Sequence, residues 1–488
     1  MLRLILVVCC SLWLVESAHS ERPNVLLFYI DDLRPQTSDY GHEFMSTPNF
    51  DRLAAEGVRF ENAYCQVPTC GASRASLFTS LYPTEERFPN FLTWAERDAK
   101  DVKTLPQRFK EAGYVTISNG KVFHHKKDTE DRSWSEPAWR PGTNGRTFYN
   151  EATKQWKQER MKTIRGKNAA ERKKKVPMWE AGDVDAMQTH DGQIASKTMA
   201  DLERLAQGDQ PFFIACGLAK PHMPFYSPVE TYRRYPLKQI ELAEHRELPK
   251  PMPERFRLVK EQFAYVPMTL DLSREVKYNS DEYHRRMRQG YYASVSHADD
   301  LMGRVFAKME TLGLDKNTIV VVLGDHGWLL GEHNSWAKNQ LLHPALRTAM
   351  WMRGPGIAKN ASIPTHVEFV DVHPTLCEMA GIRVEEPIHG KSFALVLNDP
   401  RAVHREDAYT RFGPGDALTS QDHYYVRWRG DSDASGKNEL LIDRVKDPLH
   451  QVNVSGDPQY EAVRNELRSR LQARIEMAES VMTETAAH

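Results

Sequence analysis

Apolar positions in this chain gather into short unbroken runs separated by polar, helix-periodic stretches. Asn24–Ile30 (NVLLFYI) has no alternation and ends at Asp31-Asp32. Such a run predicts a strand buried on both faces of a parallel sheet, with carboxylates at its C-terminal end. Phe212–Leu218 (FFIACGL) and Thr318–Leu323 (TIVVVL) repeat the pattern, and the second runs into Gly324-Asp325-His326-Gly327. Tyr114–Ser118 predicts a further strand. Pro48–Gly57 and Leu105–Ala112 predict short helices, the first opened by Pro and stopped by Gly. Asp281–Leu312 predicts a long amphipathic helix leading into the Thr318 strand. Strands alternating with helices imply an α/β fold, a large and mostly parallel sheet flanked by helices. Ligands of such sheets collect at the carboxyl ends of strands, where both acidic clusters fall.

Two regions break this rhythm. Lys126–Gln188 is polar and carries Trp134, Trp139, Trp156 and Trp179; residues 151–176 hold ten Lys/Arg and three Glu. It reads either as a solvated surface element or as a basic rim for an anionic polymer. After residue 395 the strands become short, alternating and aromatic: Asp407–Arg411, Tyr424–Arg429 and Leu440–Asp443. Val463–Val481 then has a helical period. The division expected is a main domain over 21–395 and a smaller α+β C-terminal subdomain over 396–488.

Met1–Ser20 has Arg3, an apolar middle (Leu4–Val8, Leu12–Val15) and a small-x-small end at Ala18-His-Ser20. This is the layout of a cleaved export signal, about residues 1–20. The expected location is therefore outside the cytoplasm (periplasmic, secreted or lysosomal), with no membrane span in the mature chain. Across 488 residues, 40% are apolar and 27% charged, which fits a globular protein rather than a disordered or fibrous one. Lys+Arg 65 against Asp+Glu 66 gives a net charge of −1. No whole-molecule field attracts nucleic acid, so anion binding must be local. Removing the signal leaves Cys65, Cys70, Cys216 and Cys377, too few for a disulfide scaffold and in no zinc-binding pattern. Cys216 and Cys377 read as buried apolar residues. Cys65 can pair with Cys70, unless Cys70 has another role.

The richest segment is Cys70-Gly-Ala-Ser-Arg74 followed by Ala-Ser-Leu-Phe-Thr79. It resembles the sulfatase signature C-x-[PA]-S-R-x-x-x-[LIVF]-T-G, with Ala72 for the commoner Pro and Ser80 for the usual Gly. Thr47-Pro-Asn-Phe-Asp51 and Gly57–Ala63 precede it as in that family. Gly120-Lys-Val-Phe-His124, Lys220-Pro-His222-Met-Pro-Phe225, Asp325–His333 and Trp336-Ala-Lys338 follow in order. The spacing Lys121…His124 resembles the iduronate-2-sulfatase branch in particular. The resemblance implies an alkaline-phosphatase-like fold, sulfate-ester hydrolysis, and a formylglycine made from Cys70 by a formylglycine-generating enzyme. It implies a sulfated saccharide as substrate. A phosphomonoesterase or phosphodiesterase on the same scaffold, or a sulfated-glycan-binding pseudoenzyme, are the alternatives.

Elementary chemistry agrees. Asp31, Asp32 and Asp325 supply hard oxygens suited to Ca²⁺ or Mg²⁺, and neutral His326 completes the set. By resemblance position 70 is both a metal ligand and the nucleophile. Charge developing on sulfate needs fixed cations, for which Arg74, one turn after Cys70, and Lys121 and Lys338 are candidates. By family position His222, with Lys338, protonates the leaving oxygen and His124 is the base for sulfate release. His125, His297, His333, His343 and His373 lack such support and read as structural or substrate-facing. Asp191 and Trp179-Glu180 are weaker candidates for a sugar pocket.

Overall fold

The unbroken apolar runs form the middle of one sheet in a computed structural model, which describes residues 22–143, 145–166, 168–259, 261–430 and 437–480. The export-signal segment lies outside the described residues. In chain order the strands are β1 (Asn24–Ile30), β2 (Val58–Tyr64), β3 (Val115–Gly120), β4 (Phe212–Leu218), β5 (Thr318–Gly324), β6 (Met350–Arg353) and β7 (Ala361–Glu368). A two-residue strand at Arg347–Thr348 brings the sheet to eight. The spatial order is β7-β2-β6-β5-β1-β4-β3. All pairings are parallel except those of β6 and its short neighbour, so the expected mostly parallel sheet is present.

Alternation along β1 divides the core between the two faces. Leu26, Phe28 and Ile30 pack with Val295, Ala298, Met302 and Phe306 of one long helix. Val25, Leu27 and Tyr29 pack on the other side with Ala72, Ala75 and Phe78 and with Phe369, Val372 and Leu376. These residues belong to α1 (Cys70–Thr79), α2 (Asp281–Thr311) and α3 (Phe369–Met379). The start of α2 is fixed by Ser280, whose Oγ accepts from the Tyr283 N–H at 3.2 Å, and by Asp281 and Glu282 in its first turn. Every residue of α1 is buried. It is a central helix, not a surface one.

Four antiparallel strands follow in sequential order: β8 (Asp407–Phe412), β9 (Gly415–Ser420), β10 (His423–Trp428) and β11 (Glu439–Asp443). The helix α4 (Glu461–Ser480) lays Leu467, Leu471 and Ala478 against Tyr409, Leu418, Tyr425 and Leu441. The sequence reading omitted β2, β6, β7 and β9. The segment GDALTS of β9 is short and has little β-branched character, so it carries no strand signal. No helix among the described residues is long and apolar enough to cross a membrane.

Candidate active site

Register builds the site. Strands β1 and β5 are parallel neighbours with Ile30 opposite Gly324, so Asp31-Asp32 and Asp325-His326 leave the sheet side by side. The Asp32 N–H donates to Asp325 Oδ1 at 2.9 Å, and Asp32 takes a left-handed φ of 65° that turns its carboxylate inward. The N-terminus of α1 brings Cys70 to the same point, with Sγ 3.4 Å from His326 Nε2. Hydrogen bonding of His326 Nδ1 to the Gly327 carbonyl (2.9 Å) makes Nδ1 the donor and leaves the Nε2 lone pair facing Cys70, Asp32 and Asp325. Donor atoms of Asp31, Asp32, Cys70 and His222 lie within 4.8 Å of one another, as do those of Cys70, Asp325 and His326. The two groups share Cys70. An oxygen-rich set with one outward imidazole nitrogen fits a hard divalent cation.

The predicted cations converge on these carboxylates. Arg74 is fully buried, bonds Asp325 Oδ2 (2.9 Å) and Asp31 Oδ1 (3.1 Å), and stacks over the Tyr29 ring at 4.3 Å. It also donates to the carbonyls of Lys121 and Val122, which fixes the loop after β3. Lys121 Nζ pairs with Asp31. Its backbone sits against Gly217 of β4, where an added Cβ would come within 2.2 Å of the Lys121 carbonyl. Lys338 Nζ donates to Asp32 at 2.9 and 3.0 Å and lies 4.9 Å from the Trp328 ring. These partners drive the carboxylates apart. Burial raises Asp31, but Lys121, His222 and Arg74 outweigh it and hold the carboxyl well below the usual range. Burial pushes Asp32 well up, and Lys338 does not offset it. Burial, then the Asp31 charge, also pushes the Cys70 thiol well up. An unmodified thiol here is a poor nucleophile.

Both candidate proton carriers adjoin the cluster. Nδ1 of His222 donates to the Met223 carbonyl, so Nε2 is the working nitrogen, 3.9 Å from Glu261 Oε1. Burial, then Lys338, holds His222 well below an ordinary imidazole. Burial, then Lys121, takes His124 down to about 3, and its Nδ1 has no partner.

Two functional neighbours escaped the sequence reading. Glu261 pairs with Lys338 at 3.3 Å and faces His222, although it belongs to no motif. Lys220 is buried and donates to the carbonyls of Gly145, His222 and Pro224, tying the 145 loop to the His222 loop. Sequence placed it inside a motif but gave it no role.

Several expectations need correction. Asp191 does not face a sugar pocket; it is buried and accepts the backbone N–H groups of Ala219 and Lys220. Trp179 and Glu180 are buried too, Trp179 donating to the Met268 carbonyl and Glu180 accepting from Tyr149 and Asn150. Trp134 is likewise core, so apolar packing claimed these rings. Cys65 and Cys70 are unpaired. Of the five histidines left aside, His125 stacks on Trp94, and His297, His333, His343 and His373 bond Thr189, Glu247, Tyr64 and Phe78.

The two departures in the signature have local answers. Ser80 caps α1 at φ 58°, the left-handed region where Gly costs nothing. Its hydroxyl compensates by donating to the Val370 carbonyl (2.5 Å) and accepting from the Gly390 N–H (3.2 Å). Ala72 lies in the first turn, where N–H groups lack helical acceptors, so Ala and Pro both satisfy the backbone.

A family model described as Sulfatase matches residues 23–382. The chain belongs to the sulfatase family. It is a sulfuric ester hydrolase. A second model, N-sulphoglucosamine sulphohydrolase, C-terminal, matches 331–477. Human iduronate 2-sulfatase is 32% identical over 437 residues, covering 80% of this chain and 75% of that protein. A sulfatase of Formosa agariphila is 29% identical, covering 89% and 83%. Among solved structures, a protein bound to its substrate D-glucosamine-2-N,6-O-disulfate has TM-score 0.71 at 20% identity, covering 94% and 98%. Phosphonate monoester hydrolase of Agrobacterium radiobacter has TM-score 0.70 at 22% identity, covering 93% and 96%. Both share the sulfatase fold of this chain.

Proposed function

We propose that this sulfatase is exported and removes sulfate from a sulfated saccharide, in the manner of iduronate 2-sulfatase, with a formylglycine made from Cys70 and a bound Ca²⁺ or Mg²⁺. The observation that carries the reading is the meeting of Asp31, Asp32, Asp325 and His326 with Cys70 at the carboxyl end of the sheet, walled by Arg74, Lys121 and Lys338. Asp31, Asp32, Asp325, His326 and residue 70 would hold the metal, which supplies Lewis-acid polarisation of a sulfate oxygen. The hydrated aldehyde at residue 70 supplies a nucleophile that a plain thiol cannot replace.

The remaining work belongs to side chains. Lys121 and Lys338 are placed to meet sulfate oxygens, and Arg74 holds Asp31 and Asp325 in register. For His222 to protonate the leaving oxygen, Nε2 must first gain a proton, and Glu261 is placed to stabilise that imidazolium. Neutral His124, on the loop that carries Lys121, is the base for sulfate release. The likeness to human iduronate 2-sulfatase supports a uronate-bearing substrate. The 1–20 segment supports export. We divide the mature chain into a catalytic domain, 21–395, and a subdomain, 396–488.

The test is sulfate release from defined sulfated saccharides, using protein co-expressed with a formylglycine-generating enzyme. Turnover is expected to vanish in EDTA and to return with Ca²⁺ or Mg²⁺. The Cys70 peptide is expected about 18 Da lighter than its thiol form. Hydrolysis of phosphate esters but of no sulfate ester, or full activity without metal, overturns the reading.

A further inference from the structure

Beside the metal-ligand cluster lies a cavity of about 450 Å³. Asp31, Lys121 and His222 line its inner side, and Arg140, Arg146 and Lys220 the rest of its charged wall. Among the described residues Asp31 is the only carboxylate in the lining. The cations differ in what they already hold. Lys121 is committed to Asp31, and Lys220 to three backbone carbonyls. Arg146 leans on the Tyr265 ring and donates to its hydroxyl.

Arg140 is different. Its Nη2 donates to the carbonyls of Phe123 (2.6 Å) and His124 (3.2 Å), which pins the guanidinium to the loop carrying Lys121 and His124. Its main chain is equally fixed. The Trp139 N–H donates to the Ser118 carbonyl (2.9 Å), and the Gly120 N–H to the Trp139 carbonyl (2.8 Å), so this segment extends the end of β3. Among the described residues no carboxylate reaches Arg140 within ion-pair distance, and its buried Nε has no partner. Burial draws this guanidinium down to about 10. A partly buried cation, held rigidly with half of its donor fork unused, is costly until an anion meets it. With Nη2 spent on the two carbonyls, Nη1 remains without a partner among the described residues and can donate a charged hydrogen bond to an anionic oxygen in the cavity.

We propose that Arg140 is a specificity-determining residue that receives a carboxylate on the sugar ring bearing the scissile sulfate. The inference rests on the saccharide reading above and adds to it the residue that reads the acid. The polar insertion then contributes to the site through Arg140.

The test compares a 2-O-sulfated uronate disaccharide with its carboxyl-reduced counterpart, in the wild type, Arg140→Met and Arg140→Lys. Wild type is expected to favour the carboxylate by about 30-fold in kcat/KM, the size of a hydrogen bond between charged groups. Arg140→Met is expected to shrink that preference to about 3-fold or less, mainly through KM, and Arg140→Lys to restore part of it. Because each preference is a ratio within one preparation, it is independent of how much variant folds. An unchanged preference in Arg140→Met, or none in the wild type, overturns the proposal alone. Turnover of 4-nitrophenyl sulfate with neither disaccharide cleaved overturns the saccharide reading, and the proposal with it.

Discussion

Two clusters of buried charge both sit at the carboxyl ends of strands in the central sheet, and only one has the makings of a reaction centre. The first joins Asp31, Asp32 and Asp325 to Arg74, Lys121 and Lys338. The second joins Glu368 and Asp371, at the start of α3, to Arg405 and Arg474. Both are almost fully buried. In the second, each carboxylate oxygen ends on donors of this chain. Asp371 takes Arg405 (2.5 and 2.7 Å), His404 (3.0 Å) and two backbone N–H groups; Glu368 takes Tyr82, the Tyr409 N–H and Arg474. Burial raises Asp371, but Arg405 wins and holds it far below an ordinary carboxylate. In the first cluster, neighbouring carboxylates are driven in opposite directions and a cavity opens beside them. Perturbed titration is common to both clusters. Saturation is common to both as well, since the oxygens of Asp31, Asp32 and Asp325 also end on donors; what separates the first cluster is the cavity and the Cys70–His326 pair beside it.

The largest effect expected from this contrast is at residue 70. Cys70→Ala is expected to keep its fold and its divalent-metal binding but to lose sulfate-ester turnover by about 10⁴-fold or more, as removal of a nucleophile does. Thermal unfolding and sulfate release, measured on one preparation, separate the two. Wild-type turnover in this variant sinks the assignment.

At Arg405 the loss is expected in stability. Arg405→Met leaves Glu368 and Asp371 buried with fewer counter-charges, which costs about 3–5 kcal/mol when one partner of a buried pair is removed. Denaturant titration checks the loss. The fraction that folds in the cold is expected to release sulfate at close to the wild-type rate. A variant that is stable but inactive reverses the roles given to the two clusters.

Much of the first cluster was legible in sequence because its parts are local. Asp31-Asp32 and Asp325-His326 each follow an apolar run, and parallel pairing in register brings strand ends together without further information. Cys70 and Arg74 share one helical turn. Glu261 and Arg140 were not legible, because each lies in a polar stretch without periodicity and reaches the site only through tertiary folding; Lys220 lies in a motif, but only folding shows the two loops that it ties. The second cluster was invisible for the same reason: Glu368 and Arg474 are far apart in the chain. Trp179 misled because a ring that can line a sugar pocket can equally complete a core, and burial tells the two apart.

His373 joins the two regions, since it sits on α3 beside Asp371 yet touches α1. Arg108 Nε can only donate, so His373 Nε2 accepts at 2.8 Å and Nδ1 donates to the Phe78 carbonyl at 3.0 Å. Burial, then Arg108, takes this imidazole down to about 3. Its folded value lies below its unfolded one, about 6.5. The stability it contributes is therefore full above pH 6.5 and is lost progressively as pH falls toward 3, by about 1–2 kcal/mol at pH 5. His373→Gln preserves an acceptor and a donor but cannot take up the proton. It is expected to cost about 1 kcal/mol at pH 7.5 and to flatten the decline between pH 6.5 and 5. An equally steep decline in the variant places the acid sensitivity elsewhere.

The smallest expected effect concerns the basic stretch around Lys173, Lys174 and Lys175, which lies outside both clusters. Of the three only Lys174 is exposed; the other two are half-buried, and the backbone carbonyls of Lys173 and Lys175 accept from Lys157. That tether fixes the path of the chain while leaving the three ammonium groups near solvent. Charges so placed act at long range and weakly, and salt screens them beyond about 10 Å at 0.1 M. A long anionic saccharide passing over them gains attraction; a disaccharide confined to the cavity does not. Changing all three to Gln is therefore expected to raise KM for a long sulfated chain about 3-fold at 0.02 M salt and to leave it unchanged at 0.5 M, where the screening length is only a few ångströms. KM for a disaccharide is expected to stay constant at both salts. A salt-independent rise, or an equal rise for the disaccharide, means the stretch acts by shape or stability and is no rim for a polymer.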